Sequence, residues 1–195
     1  MPSKIDTLLA RIDALHDEIE DEIAERRKAF RYDLEGRRAR FEREAIERHK
    51  ALKMRLSLFL ARARPGHIVT APVIYSLILP FALLDLFVTI YQAICFPAYG
   101  IPKVRRADHI RIDRHQLAYL NALQKLNCIY CGYCNGLISY VSEIAGRTEA
   151  FWCPIKHAGP VRHPHGHYAE FMDYGDGENF WQGLDASRER LTRKD

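Results

Sequence analysis

The stretch IVTAPVIYSLILPFALLDLFVTIYQAICFPAYG, Ile68 to Gly100, constrains this chain more than any other, because Asp85 is the one charged residue among its 33. An apolar run of that length exceeds the ~20 residues that cross a bilayer as a helix. It predicts a membrane segment over residues 65–100 and lipid as one partner of the chain. Pro72, Pro80 and Pro97 interrupt the run, and proline breaks or bends helices. Two forms are therefore open: a re-entrant hairpin bending near Pro80, or a single tilted span. Arg55, Arg62 and Arg64 precede the run, and Lys103, Arg105, Arg106 and Arg111 follow it. Positive flanks are retained on the cytoplasmic side, so two basic ends argue that both face the cytoplasm. Asp85 is the polar site of this segment. A carboxylate at membrane depth costs ~2.5–3.5 kcal/mol on insertion scales, so it must face protein, water or a cation. It is either a proton or ion ligand, or the structural partner of an interfacial arginine or a second subunit.

Before this segment, residues 3–64 contain no proline and one glycine, Gly36, and are rich in Ala, Leu, Glu, Arg and Lys, all good helix formers. The composition predicts one long amphipathic helix as a first domain, 1–64. Its apolar residues fall into two columns, Leu8, Ile19, Phe30, Phe41, Leu52 and Ile12, Ile23, Leu34, Ala45, Leu56. An 11-residue period keeps both columns on one face without left-handed supercoiling. Residues 1–25 carry eight acids and two bases, whereas 26–64 carry fourteen bases and five acids. Two copies running antiparallel would set acidic against basic stretches, which predicts a coiled-coil-like homo-oligomer. The alternatives are a helix lying on anionic lipid and a solvated helix packed on its own domain. Nucleic acid is not an expected partner, because acids interleave the basic run and no nucleic-acid fold signature accompanies it.

The third region, 101–195, is read as a small cytoplasmic domain. A helix is expected from about Asp113 to Lys125, and another from Gly136 to about Glu149, capped by Asn135. Between them lies CIYCGYC, in which Cys128 and Cys131 have the C-x2-C spacing of a metal knuckle. Gly132, free to take positive φ, would aim backbone N–H groups at the thiolates. In FWCPIKH, Cys153 and His157 stand four apart, one helical turn. Cys128, Cys131, Cys153 and His157 together form a three-sulfur, one-nitrogen set suited to structural zinc, with Tyr130, Phe151 and Trp152 shielding it. Cys134 is the alternative ligand; with it the run reads C-x2-C-x2-C, and Cys153 is followed by proline, which resembles an iron–sulfur pattern. Metal-free thiols are the third possibility. The start MPSKIDTLLARID lacks the apolar core of a secretory leader, so reduced cysteines are expected. His163, His165 and His167 alternate, either as a second metal site or, with Pro164 and Gly166 interleaved, as a solvated loop. Cys95 is read as a small buried hydrophobe. The tail from Ala158 reads as irregular structure and its last residues, SRERLTRKD, as frayed.

Three stretches, CFPAYGIPKV (95–104), CIYCGYCNG (128–136) and WCPIKH (152–157), resemble an uncharacterised group of small bacterial membrane-associated proteins with CxYCxYxNG and WCPIKH stretches and a proline-broken apolar segment. The resemblance implies a bacterial membrane-associated protein and brings no activity with it; together with the basic flanks it gives the cytoplasmic side of the bacterial inner membrane as the expected location. In that group the position of Cys134 need not be cysteine, which would make it a bystander.

The fold class expected is mainly α: a long amphipathic helix, a membrane hairpin or single span, and a small metal-stapled helical domain. The corresponding function is a membrane-associated, zinc-binding scaffold or adaptor that recruits a protein partner. The alternative is a small iron–sulfur or thiol redox protein at the membrane. No HExxH, Ser-His-Asp set or phosphate-cradling glycine loop is present, which weighs against an enzyme.

Overall fold

The computed structural model describes residues 4–30, 32–35 and 38–192. The protein is mainly helical. In chain order its elements are α1 (Lys4–Ala29), β1 (Tyr32–Glu35), β2 (Arg38–Phe41), α2 (Arg43–Ala51), α3 (Leu56–Ala61), α4 (Pro65–Ser76), α5 (Ile78–Tyr99), α6 (Arg106–His109), α7 (Ala122–Trp152) and α8 (Phe180–Thr192), with 3-10 turns at Arg114–Gln116 and Tyr168–Glu170. They divide into two units, Met1–Ala63 with Asp113–Ile129, and Arg64–Ile112 with Tyr130–Asp195.

In the first unit the expected 62-residue helix is not continuous. It stops at Ala29, and an antiparallel hairpin follows, pairing Tyr32 with Phe41 and Glu35 with Arg38. Two forces oppose helix here. Glycine is a poor helix residue, and Gly36, which lies with Arg37 outside the described residues, falls between the strands. Tyr32 and Phe41 also gain a cross-strand ring contact, with centroids 5.0 Å apart, of the kind that stabilises paired strands. The ring series continues from Phe41 to His49 and from His49 to Tyr119, each 5.2 Å, both edge-on. The 11-residue columns therefore survive only along α1, because Phe41 and Leu34 lie in strands. None of the described α1 side chains is buried.

In the second unit the apolar segment forms one helical run, Pro65–Tyr99. No hairpin forms at Pro80. Leu77 between α4 and α5 keeps helical dihedrals, φ −63° and ψ −15°. Pro80 is the third residue of α5, within the first turn, where an N–H has no partner inside that helix. The run ends at Gly100, φ 71°, with Ile101 N–H donating to Phe96 O at 2.9 Å and Gly100 N–H to Pro97 O at 3.3 Å. This is the Schellman pattern, which requires the left-handed conformation that glycine adopts without strain. Beyond it the chain doubles back, and Ile101 and Val104 join Phe96, Leu137, Tyr140 and Ile144 in the core.

α7 departs most from the sequence reading. Of the helix expected at 113–125, Arg114–Gln116 form a 3-10 turn and the last four residues open α7, which begins at Ala122 and absorbs the cysteine run. Its start is a reciprocal capping box: Gln124 N–H donates to Asn121 Oδ1 and Asn121 N–H to Gln124 Oε1, both at 3.0 Å. Asn135 caps nothing; inside α7 its Nδ2 donates to Cys131 O at 2.9 Å. The end of α7 is held by α8, where Ser187 Oγ donates to Ala150 O at 2.7 Å and Arg188 Nε to Phe151 O at 3.0 Å. A cation and a hydroxyl thus satisfy two terminal carbonyls at the negative end of the helix dipole. The tail is accordingly less irregular than expected, since α8 extends to Thr192.

Candidate functional site

The cysteines do not meet. Cys128, Cys131 and Cys134 occupy successive three-residue steps of α7, and Cys153 directly follows its last residue. At 1.5 Å per residue, the 22 residues from Cys131 to Cys153 place them ~33 Å apart along the helix. The clamp needed a turn at CIYCGYC and a separate helix from Gly136. With Asn121 supplying the cap, helix propagates straight through both. Gly132 does not take positive φ, which among the described glycines occurs at Gly100 and Gly175. Among the described residues no group of three His, Cys, Asp or Glu side chains is placed to hold a metal. The His157 ring instead stacks on Tyr168, centroids 6.0 Å apart, and the His157 backbone N–H donates to Tyr168 Oη at 2.8 Å. Burial pushes the Cys134 thiol up, away from the reactive thiolate. Cys131 and Cys153 are exposed, and Cys95 is half-buried rather than buried.

What α7 does carry is a polar seam against α5. Tyr133 Oη donates to Asp85 Oδ2 at 2.8 Å, and Gln92 Nε2 donates to Tyr140 Oη at 2.7 Å. Both pairs are seven residues on from one another along each chain, so α5 and this part of α7 run parallel in a constant register. The returning segment closes the seam. Val104 N–H donates to Gln92 Oε1 at 2.6 Å, and Arg106 Nη1 pairs with Asp85 Oδ1. Thr89 Oγ1 adds a contact to Asp85 at 3.4 Å. The Asp85 carboxylate thus has a cation and two hydroxyl donors, the arrangement that makes a sequestered charge tolerable. The Asp85 hydrogen bond holds the Arg106 guanidinium even further above its ordinary value. Burial first, then the bond to Asp85, pushes the Tyr133 hydroxyl up. Arg106 and Tyr133 are thus both kept in the protonation states that let them hold Asp85.

The three histidines divide. His165 Nε2 bonds Glu149 at 2.9 Å, and His167 Nε2 bonds Glu143 at 3.1 Å, while Arg147 Nε pairs with Glu143 at 2.7 Å. The His165 ring lies over Gly146, where a Cβ would come within 2.7 Å of Nδ1. His165 and His167 are therefore neither a metal pair nor a free loop. They latch the tail to α7. The bond from His167, supported by Arg147, holds the Glu143 carboxyl down at about 2 in spite of partial burial. The signals for both features were in the sequence: polar residues at Asp85 and Gln92 match the heptad step of Tyr133 and Tyr140, and Glu143 and Glu149 flank a glycine. Which residue meets which could not be read without the register.

Comparison with family models, with curated proteins and with solved structures gives no match for this chain.

Proposed function

We propose that this chain is a membrane-anchored scaffold or adaptor, inserted in lipid through α4 and the first half of α5. The observation that supports this is the run Pro65–Tyr99, in which the most apolar 18-residue window has no buried residue. Eighteen residues of helix measure ~27 Å, close to the ~30 Å hydrocarbon thickness. Val69, Val73, Leu79, Leu83 and Phe87 are all more than half exposed, an apolar surface that water would not leave uncovered. Toward its C-terminus the same helix enters a protein core at Gln92 and Phe96, so anchor and domain are one rigid element. Lys103, Arg105, Arg106 and Arg111, beside the domain at the C-terminal end of the run, support a cytoplasmic face for it. Scaffolding fits the chemistry of the seam and latch, whose carboxylates Asp85, Glu143 and Glu149 are paired within the domain. Zinc or an iron–sulfur cluster is not part of this proposal, because the thiols it needs lie at opposite ends of α7.

The test is fractionation of the expressed full chain. It should stay with membranes through high-salt and alkaline washes, and the double substitution Leu79→Arg with Leu83→Arg should release it. Each arginine costs ~2.5–3.5 kcal/mol near the bilayer centre, and both sites are exposed enough to leave the domain folded. Wild-type protein in the soluble fraction, or the double variant remaining in the pellet, would overturn the anchor.

A further inference from the structure

Along α1 the most exposed large apolar side chains are Ile5, Leu8, Ile12, Leu15 and Ile19, each 48–56% exposed. Their spacing of three, four, three and four residues is a heptad seam, with isoleucine at a and leucine at d. This is a narrower stripe than the 11-residue columns, and it ends where Glu22 and Arg26 take the next d and a positions.

We infer that α1 pairs with α1 of a second copy as a two-stranded antiparallel coiled coil, centred between Asp13 and Ala14. In that register Ile12 meets Leu15 of the partner subunit, Leu8 meets Ile19 of the partner subunit, and Ile5 meets Glu22 of the partner subunit. Two independent features select it. The first is the flanking charge. Antiparallel helices bring g positions together, and here Arg11 faces Glu18 of the partner subunit while Lys4 faces Glu25 of the partner subunit, each pair occurring twice by symmetry. Sliding by one heptad either way sets Arg11 against its own copy or Glu18 against its own copy. The second is the seam itself. A parallel pair in register would place Glu22 against Glu22 and Arg26 against Arg26 within the seam, and across its edges Arg11 against His16 and Glu18 against Ile23. Like charges forced together favour the other orientation. Arg11 has no charged residue three or four positions away, and Glu18 has only Asp21 and Glu22 there, so neither is matched by a helical neighbour at the spacings where such pairs form.

This inference rests on the scaffold reading only in that self-association serves it, and the two fail separately. The full chain in detergent should be dimeric. Arg11→Glu or Glu18→Arg alone should weaken self-association about tenfold. Mixed, the two variants should form heterodimers well above the statistical share, because each restores two opposite-charge pairs with the other. A control mixture with the same charge changes at outward positions, Arg27→Glu with Asp17→Lys, should stay statistical. A monomeric wild type, no heterodimer excess, or an equal excess in the control would overturn the pairing. Membrane retention should be unchanged in every variant, so loss of the dimer with retention intact removes the pairing and leaves the anchor standing.

Discussion

α1 and α7 are helices of similar length, 26 and 31 residues, built on different terms. α1 is held by its own surface: Arg26 pairs with Glu22 at 2.9 Å and Lys28 with Glu25 at 2.6 Å, all exposed. Such pairs contribute a few tenths of a kcal/mol each. α7 is held by what crosses it: a capping box, carbonyls taken by α8, and buried Gly136, Leu137, Tyr140, Ile144, Gly146 and Ala150. The difference shows that helical pattern is not a measure of attachment. The more regular heptad belongs to the helix with no buried side chain among the described residues, and the helix with the buried face has the pattern that looked like a metal knuckle.

Gly136 offers the largest test of this contrast. On an isolated helix, glycine to alanine stabilises by ~1 kcal/mol. Here a Cβ would come within 2.7 Å of Ile110 Cα and 2.9 Å of His109 O, and backbone cannot step aside as a side chain can. Gly136→Ala should therefore destabilise by ~2 kcal/mol, lowering the thermal midpoint. A stabilised variant would mean that the return segment does not lie on α7.

A smaller effect concerns the latch. Glu143 is held at about 2, below the ordinary 4.5, so its contribution is complete above about 4.5 and is lost as pH falls toward about 2. Because the group is partly exposed, solvent screening reduces that contribution to the order of 1–2 kcal/mol. Hydrogen exchange of residues 163–171 should accelerate over this acid window in the wild type. Glu143→Gln should exchange faster at neutral pH and lose the acid dependence, and an unchanged profile would remove the ion pair from the account. The smallest effect belongs to α1, where Arg26→Ala should cost no more than ~0.5 kcal/mol, read by circular dichroism melts. A larger loss would show that α1 is packed on more than itself.

Much of the architecture was legible in the residues, for local reasons. The apolar run, its end at Gly100 and the amphipathic start follow from composition and short-range spacing. Asp85 announced that it needed a partner. The turn expected at CIYCGYC is helix instead, because C-x2-C fits a helix as well as a turn, and only the Asn121 and Gln124 box, which begins seven residues before Cys128, tips the choice.

By itself the sequence determined which segments avoid water, where glycine permits a helix to stop, and which charges could not be left alone. Those are properties of neighbours in the chain, where each residue's preference adds to the next. Tertiary structure alone decided that Arg106 answers Asp85, that Gln92 finds Tyr140, and that His165 and His167 close on Glu149 and Glu143. These pairings join residues 16 to 48 positions apart. They depend on the parallel register of α5 with α7 and on the fold-back after Gly100, which no local spacing encodes.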